Sequence, residues 1–207
     1  MPLRRILPVL SLLLGLSLTL GATARAALPE GVTETSYVTA DGERVLELSC
    51  EVPAGVQDVW NAWVSAEGFR SWAAPFAHVD LRVRGVIESS YDPKGKAGDP
   101  GNIRNEFVAL VPLRLFVIRN TQAPAQVPFD TPSFQKTVTA VLLTPLGDSK
   151  TRVTVTNSGY RAGPEWDTTY AFFQQGNAWT LSQLRKRFET GPTDWAKVFA
   201  PQTAPKK

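Results

Sequence analysis

A chain of 207 residues with 22 Lys plus Arg, 19 Asp plus Glu and a single histidine carries a formal charge of +3. That excess lies in the first 26 residues, which hold Arg4, Arg5 and Arg25 and no acid, so the remainder has 19 basic against 19 acidic residues. A balanced chain lacks the phosphate-neutralising face of a nucleic-acid-binding protein, and one cysteine excludes an intramolecular disulfide.

Residues 1–26 read as a cleavable signal peptide. Arg4-Arg5 precede an apolar run from Ile6 to Leu20, and Ala24-Arg25-Ala26 suits cleavage before Ala27. The run of 15 residues falls short of the ~20 of a spanning helix. A periplasmic or secreted protein is therefore expected, with no stable membrane insertion after cleavage. Residues 27–39 read as an N-terminal extension, 40–193 as one domain with a sizeable core, and 194–207 as a disordered, Pro-containing tail.

Within the domain, "RVLELSCEV" alternates Leu46, Leu48, Cys50 and Val52, which predicts a strand with a buried, inert Cys50. Val56, Val59, Trp60 and Trp63 then recur at helical spacing behind Pro53, and a second short helix is predicted from Glu67 to Trp72. "AHVDLRV", "VIESSY", "NIRNEFVALV", "RLFVIRN", "FQKTVTAVLLT" and "TRVTVTNSG" are strand candidates rich in Val, Thr, Ile and Phe. "DPKGKAGDPG" and "PLGDSK" read as turns, and "TQAPAQVPFDTP" as a loop or flap. A long helix is predicted from Asp167 to Thr190, stopped by Gly191-Pro192. A block of strands closed by one helix argues for α+β with an antiparallel sheet.

Catalytic and metal-binding patterns are sparse. His78 is the only histidine, and with Asp80 it makes no triad. One His and one Cys cannot supply a zinc set, "DPKGKAGDPG" is too basic for calcium, and no phosphate-binding glycine motif occurs. Neither cofactor nor metal is expected. Asp80, Glu88 and Glu106 could form an inward acid/base pair, but solvated strand positions or ion pairs with Arg82 or Arg104 are the simpler reading.

Aromatic residues remain: six Trp and ten Phe. They group on the early helices, on the strands (Phe107, Phe116, Phe134) and around the last helix. Tyr170, Phe173, Asn177, Leu181, Leu184 and Phe188 form one continuous helical face. Asn177 must find partners if buried, and Gly176 costs about 1 kcal/mol against Ala inside a helix. Polar groups among aromatics suit a packed core or a mostly apolar pocket.

"VPAGVQDVWNAWVSAEGFRSWAAPFAHVDLRVRG", "TRVTVTNSGY", the following "W…Y.FF..G" and "L..L…FETGPTDW" resemble the SRPBCC (START-like, helix-grip) superfamily. Within it they look closest to the branch related to the activator of the 90-kDa heat-shock-protein ATPase. The resemblance covers roughly residues 40–195. It implies a curved antiparallel sheet wrapped around a long C-terminal helix, with two short helices plugging one end of an apolar cavity. It places Trp72 and Phe76 near the cavity mouth and Trp166, Tyr170, Phe173 and Asn177 on its helical wall, with Phe107 and Phe134 as further ligand contacts. Asp80, Arg82 and Gly85 match a recurrent turn, with Arg84 where a second Gly is usual. The expected function is an exported protein that binds a small hydrophobic ligand, lipid-like or aromatic. A cavity enzyme using carboxylates or Tyr170, and a cell-envelope protein-interaction module, are the alternatives. On this picture Gly176 would let a strand, another helix or the ligand approach the helix backbone.

Overall fold

The computed structural model describes residues 27–123 and 131–200. The expected signal peptide, residues 124–130 of the proline-rich loop and residues 201–207 of the expected tail lie outside the described residues.

The elements run β1 (Val32–Glu34), β2 (Tyr37–Val38), β3 (Arg44–Val52), α1 (Val56–Val64), α2 (Ala66–Arg70), β4 (Phe76–Val79) and β5 (Val86–Ser90). There follow β6 (Ile103–Val111), β7 (Leu115–Gln122), α3 (Thr131–Lys136), β8 (Val138–Pro145), β9 (Thr151–Ser158), α4 (Pro164–Thr190) and α5 (Trp195–Val198). The strands form one antiparallel sheet in the order β1-β3-β9-β8-β7-β6-β5-β4, with β2 added to β3. The fold is α+β: a curved sheet gripping a long C-terminal helix.

Alternation decides which face is inside. Leu48 pairs with Val155, Val155 with Val141 and Val141 with Phe116, so one row crosses four strands. All four side chains are buried, as period-two patterning requires of a face packed on a core. Cys50 lies on the same face, 3% exposed. Its Sγ sits 3.7 Å from the Leu181 carbonyl, and burial pushes the thiol up to about 12, so it is inert at neutral pH.

Helix α1 buries Val59, Trp60 and Trp63. The Ser65 hydroxyl accepts from Gly68 N at 2.9 Å and starts α2. Trp72 Nε1 donates to the Ala62 carbonyl at 2.9 Å, tying the two helices together. Helix α4 opens with Pro164, and Glu165 and Asp167 in its first turn oppose the helix dipole. Leu181 and Leu184 are completely buried, each contributing about 1.5–3 kcal/mol.

Several local expectations are corrected. Helix α4 begins at Pro164, three residues before Asp167. Phe134 to Lys136 close α3 rather than open a strand, and β8 starts at Val138. The expected extension contributes β1 and β2 to the β3 edge. Within residues 194–207, Trp195–Val198 is helical and Trp195 Nε1 donates to the Arg70 carbonyl at 2.6 Å; just before them, at the end of the expected domain, Thr193 N donates to the Ser71 carbonyl at 2.8 Å.

Strand β4 ends at Val79, and Asp80 to Gly85 make a tight turn, with Asp80 N on the Val86 carbonyl and Gly85 N on the Arg82 carbonyl, both at 2.8 Å. A Cβ on Gly85 would lie 2.1 Å from the Asp80 carbonyl oxygen, so the turn admits no side chain there. Arg84 adopts a φ of 68°. Left-handed backbone costs a non-Gly residue about 1–2 kcal/mol, while Gly gives back about 0.5–1 kcal/mol in entropy. Arg84→Gly is therefore expected to raise stability by up to about 1 kcal/mol, or about 2–4 °C in Tm, by thermal unfolding.

Candidate functional site

Where the sheet curves away from α4, a cavity of about 180 Å³ opens between them. Its floor is the concave face of β5 to β9: Ile87 and Ser89, Ile103 and Asn105, Ile118 and Asn120, Thr139 and Val141, and Val155. Its roof is Phe173, Asn177, Trp179 and Thr180 of α4, and one end is closed by Trp63, Phe69 and Trp72 with Ala73 and Ala74. Phe134 stacks on Phe173 at 4.9 Å and closes another side. Only Tyr91 and Trp179 among the lining residues are exposed, so they mark the rim.

The end wall is a cluster of packed aromatic rings. Trp63 meets Trp72 edge-on at 4.8 Å, Phe69 at 6.5 Å and Phe116 at 5.5 Å. Such contacts add about 0.5–1.5 kcal/mol each beyond burial. The α4 face divides along its length. Leu181 and Leu184 are sunk in the core, whereas Phe173 and Asn177 are half-buried at the cavity.

The wall is mostly apolar but not wholly. Asn120 Nδ2 donates to Asn105 Oδ1 at 3.2 Å, while Asn120 Oδ1 is buried without a partner. Asn177 Nδ2 and Trp63 Nε1 are also buried and unpartnered among the described residues. Among the described residues, no Asp, Glu, Lys, Arg or His lines the cavity.

Four of the eight residues expected at the ligand come together here: Trp72, Phe134, Phe173 and Asn177. The other four lie elsewhere. Phe107 is fully buried in the core, edge-on to Phe116 at 6.1 Å. Trp166 is buried in the core at the start of α4. Tyr170 lies under the Arg44 guanidinium, 5.0 Å from its ring centre, and against Tyr160 at 4.9 Å, beside a separate surface groove. Phe76 is half-buried at the start of β4, off the lining. A family resemblance places residues on an element but not at a depth along it, which is why Phe76, Trp166 and Tyr170 were grouped with the rest.

Reasoning from sequence missed the strand contribution. Asn105 shares its parity with buried Phe107, and Asn120 shares its parity with Phe116 and Ile118. An amide at an inward position was the available signal.

Gly176 departs from expectation. Outside its own helix, no described atom lies within 4 Å of a Cβ built there, so neither strand nor helix makes the close approach. Gly176→Ala is expected to raise the stability of the free protein by about 0.4–1 kcal/mol, read as a higher denaturation midpoint with an unchanged slope.

The carboxylates do not assemble a catalytic pair. Asp80 pairs with Arg82 Nε at 2.9 Å. Glu88, 3% exposed, accepts from Gly98 N and Asn102 Nδ2, both at 2.7 Å, pinning the loop after β5 on the outer face. Glu106 lies opposite Arg119 in the register of β6 and β7 and does not line the cavity. Among the described residues no cluster of three or more His, Cys, Asp or Glu could hold a metal, and no helix is long and apolar enough to cross a membrane.

Comparison with known proteins gives a family and a fold. The family model described as Activator of Hsp90 ATPase homolog 1-like protein matches residues 53–189. The solution structure of the Aha1 dimer from Colwellia psychrerythraea is similar at 16% identity and a TM-score of 0.54, over 71% of this chain and 97% of that one. Protein MLL2253 from Mesorhizobium loti gives 16% identity and a TM-score of 0.54 over 72% and 100%. CalU16 from Micromonospora echinospora gives 15% and 0.52 over 79% and 85%. No curated protein matches the sequence. At such identities the structural likeness shows the fold alone.

Proposed function

We propose that this chain, which belongs to the Activator of Hsp90 ATPase homolog 1-like family of the START-like, helix-grip superfamily, is an exported binding protein for a small hydrophobic molecule held between sheet and C-terminal helix. The observation that carries the reading is the cavity of about 180 Å³ walled by Trp63, Phe69, Trp72, Phe134 and Phe173. Apolar cavities near 150 Å³ accept a molecule the size of benzene, and drug-sized ligands need about 300 Å³ or more. The size therefore favours a compact aromatic ligand over an intact sterol or long acyl chain. Binding is favoured over catalysis because none of the carboxylates weighed as acid or base reaches the cavity. Export rests on the leader pattern of residues 1–26.

The test is to produce the full chain in an exporting host, purify it without detergent, and compare native with denaturing mass spectra before solvent extraction. The reading expects a mass beginning at Ala27 and a stoichiometric organic adduct released on denaturation. A chain that keeps residues 1–26 removes the export claim, and an empty chain that takes up no hydrophobic probe removes the binding claim.

One observation favours a protein-interaction role as second reading. Val111, Leu115 and Leu142 form a cross-strand row, and Val111 and Leu142 are exposed. Partner capture that Val111→Lys abolishes, with the cavity empty, would support it.

A further inference from the structure

The polar atoms of the cavity wall say more about the occupant than its volume does. Asn157 shows what a structural amide looks like in this protein. It is fully buried on the same concave face, donates to the Val138 carbonyl at 3.0 Å and to Thr139 Oγ1 at 2.8 Å, and accepts from the Tyr160 hydroxyl. Nothing in it is left unsatisfied. The cavity amides differ. Asn120 keeps a buried oxygen without a donor, Asn177 keeps a buried nitrogen without an acceptor, and Trp63 Nε1 has no acceptor either. Three such atoms on residues of one cavity are too many for a core that exists only to be filled, because buried polar atoms in native proteins are nearly always paired.

The set is mixed: Asn120 offers an acceptor, while Asn177 and Trp63 offer donors. It is also uncharged: among the described residues no Asp, Glu, Lys, Arg or His lies on the wall. A carboxylate or ammonium taken in here would lose its water with no counter-ion to meet it. A purely apolar occupant would leave the amides as they stand.

Taking the binding reading as given, we propose that the occupant is an electrically neutral, single-ring molecule carrying an amide-like group that both donates and accepts hydrogen bonds. Its ring packs on the Trp63, Trp72 and Phe173 side, and its polar group meets Asn120 and Asn177.

Calorimetric titration with benzamide, benzoate and toluene tests this, since the three share a ring and differ in polarity and charge. Benzamide is expected to bind at least tenfold tighter than toluene, with benzoate weaker than either. In Asn177→Leu, benzamide affinity is expected to fall at least tenfold while toluene affinity stays within twofold. Retained toluene binding also shows that this variant is folded. Toluene binding as tightly as benzamide, or benzoate matching benzamide, overturns the polar assignment and leaves the binding reading standing. Failure of all three to bind overturns both.

Discussion

Phe116→Ala is expected to cost about 3–5 kcal/mol, the range for emptying a fully buried aromatic site. Phe116 has no exposed surface and holds the meeting point of sheet and early helices. It lies edge-on to Trp60 at 6.1 Å and to Phe107 at 6.1 Å, and tilted against Trp63 at 5.5 Å. Removing the ring leaves a void that these large, mutually packed neighbours cannot fill by small shifts. Equilibrium denaturation should show a lower midpoint with an unchanged slope. Val108→Ala on the neighbouring strand, where the side chain is already exposed, should change stability by less than about 0.5 kcal/mol. A Phe116→Ala effect below 1 kcal/mol would mean that the cluster is not the core described here.

The second large effect concerns the cavity. Ile118 is half-buried at its floor, so a larger side chain there projects into free space. Ile118→Trp is expected to fill much of the 180 Å³ and to weaken uptake of a one-ring probe such as toluene at least 100-fold, equivalent to about 2.7 kcal/mol. Overpacking costs of about 1–3 kcal/mol are expected alongside. Circular dichroism separates a folded, blocked protein from an unfolded one. A folded variant that binds toluene as the parent does would place the binding site elsewhere.

The fold was legible because its two periodicities are clean. "RVLELSCEV" and "TRVTVTNSG" alternate without interruption, and the structure pairs them as β3 and β9. The α4 stripe from Tyr170 to Phe188 carries the helical period, and Leu181 and Leu184 within it are completely buried. What failed did so for local physical reasons. Asp80 to Val83 keeps the apolar alternation of a strand, yet backbone hydrogen bonds close it into a turn around Gly85. "FQK" has strand-like neighbours but finishes a helix that begins in a proline-rich stretch.

The site was legible in its aromatic end and side, Trp72 and Phe134, and on its α4 side. Phe173 and Asn177 were expected, and both line the cavity. Asn105, Asn120 and Ser89 were not, because a strand's inward polar residue reads like a solvated one until the facing element is known. Trp166 and Tyr170 share the helix with Phe173 but lie beyond the cavity's end. Where a cavity begins and stops depends on sheet curvature, which no single strand encodes.

The chain has four isoleucines, and Ile87, Ile103 and Ile118 all line the cavity, while Ile6 belongs to the expected leader. A methyl NMR spectrum of isoleucine-labelled protein therefore reports on the cavity almost alone. Titration with toluene should move all three cavity methyls together, saturably and at one-to-one stoichiometry, and Ile118→Trp should abolish the shifts of the remaining two. Three methyls that stay fixed as toluene saturates the solution would contradict the claim that the space between sheet and helix receives a small molecule.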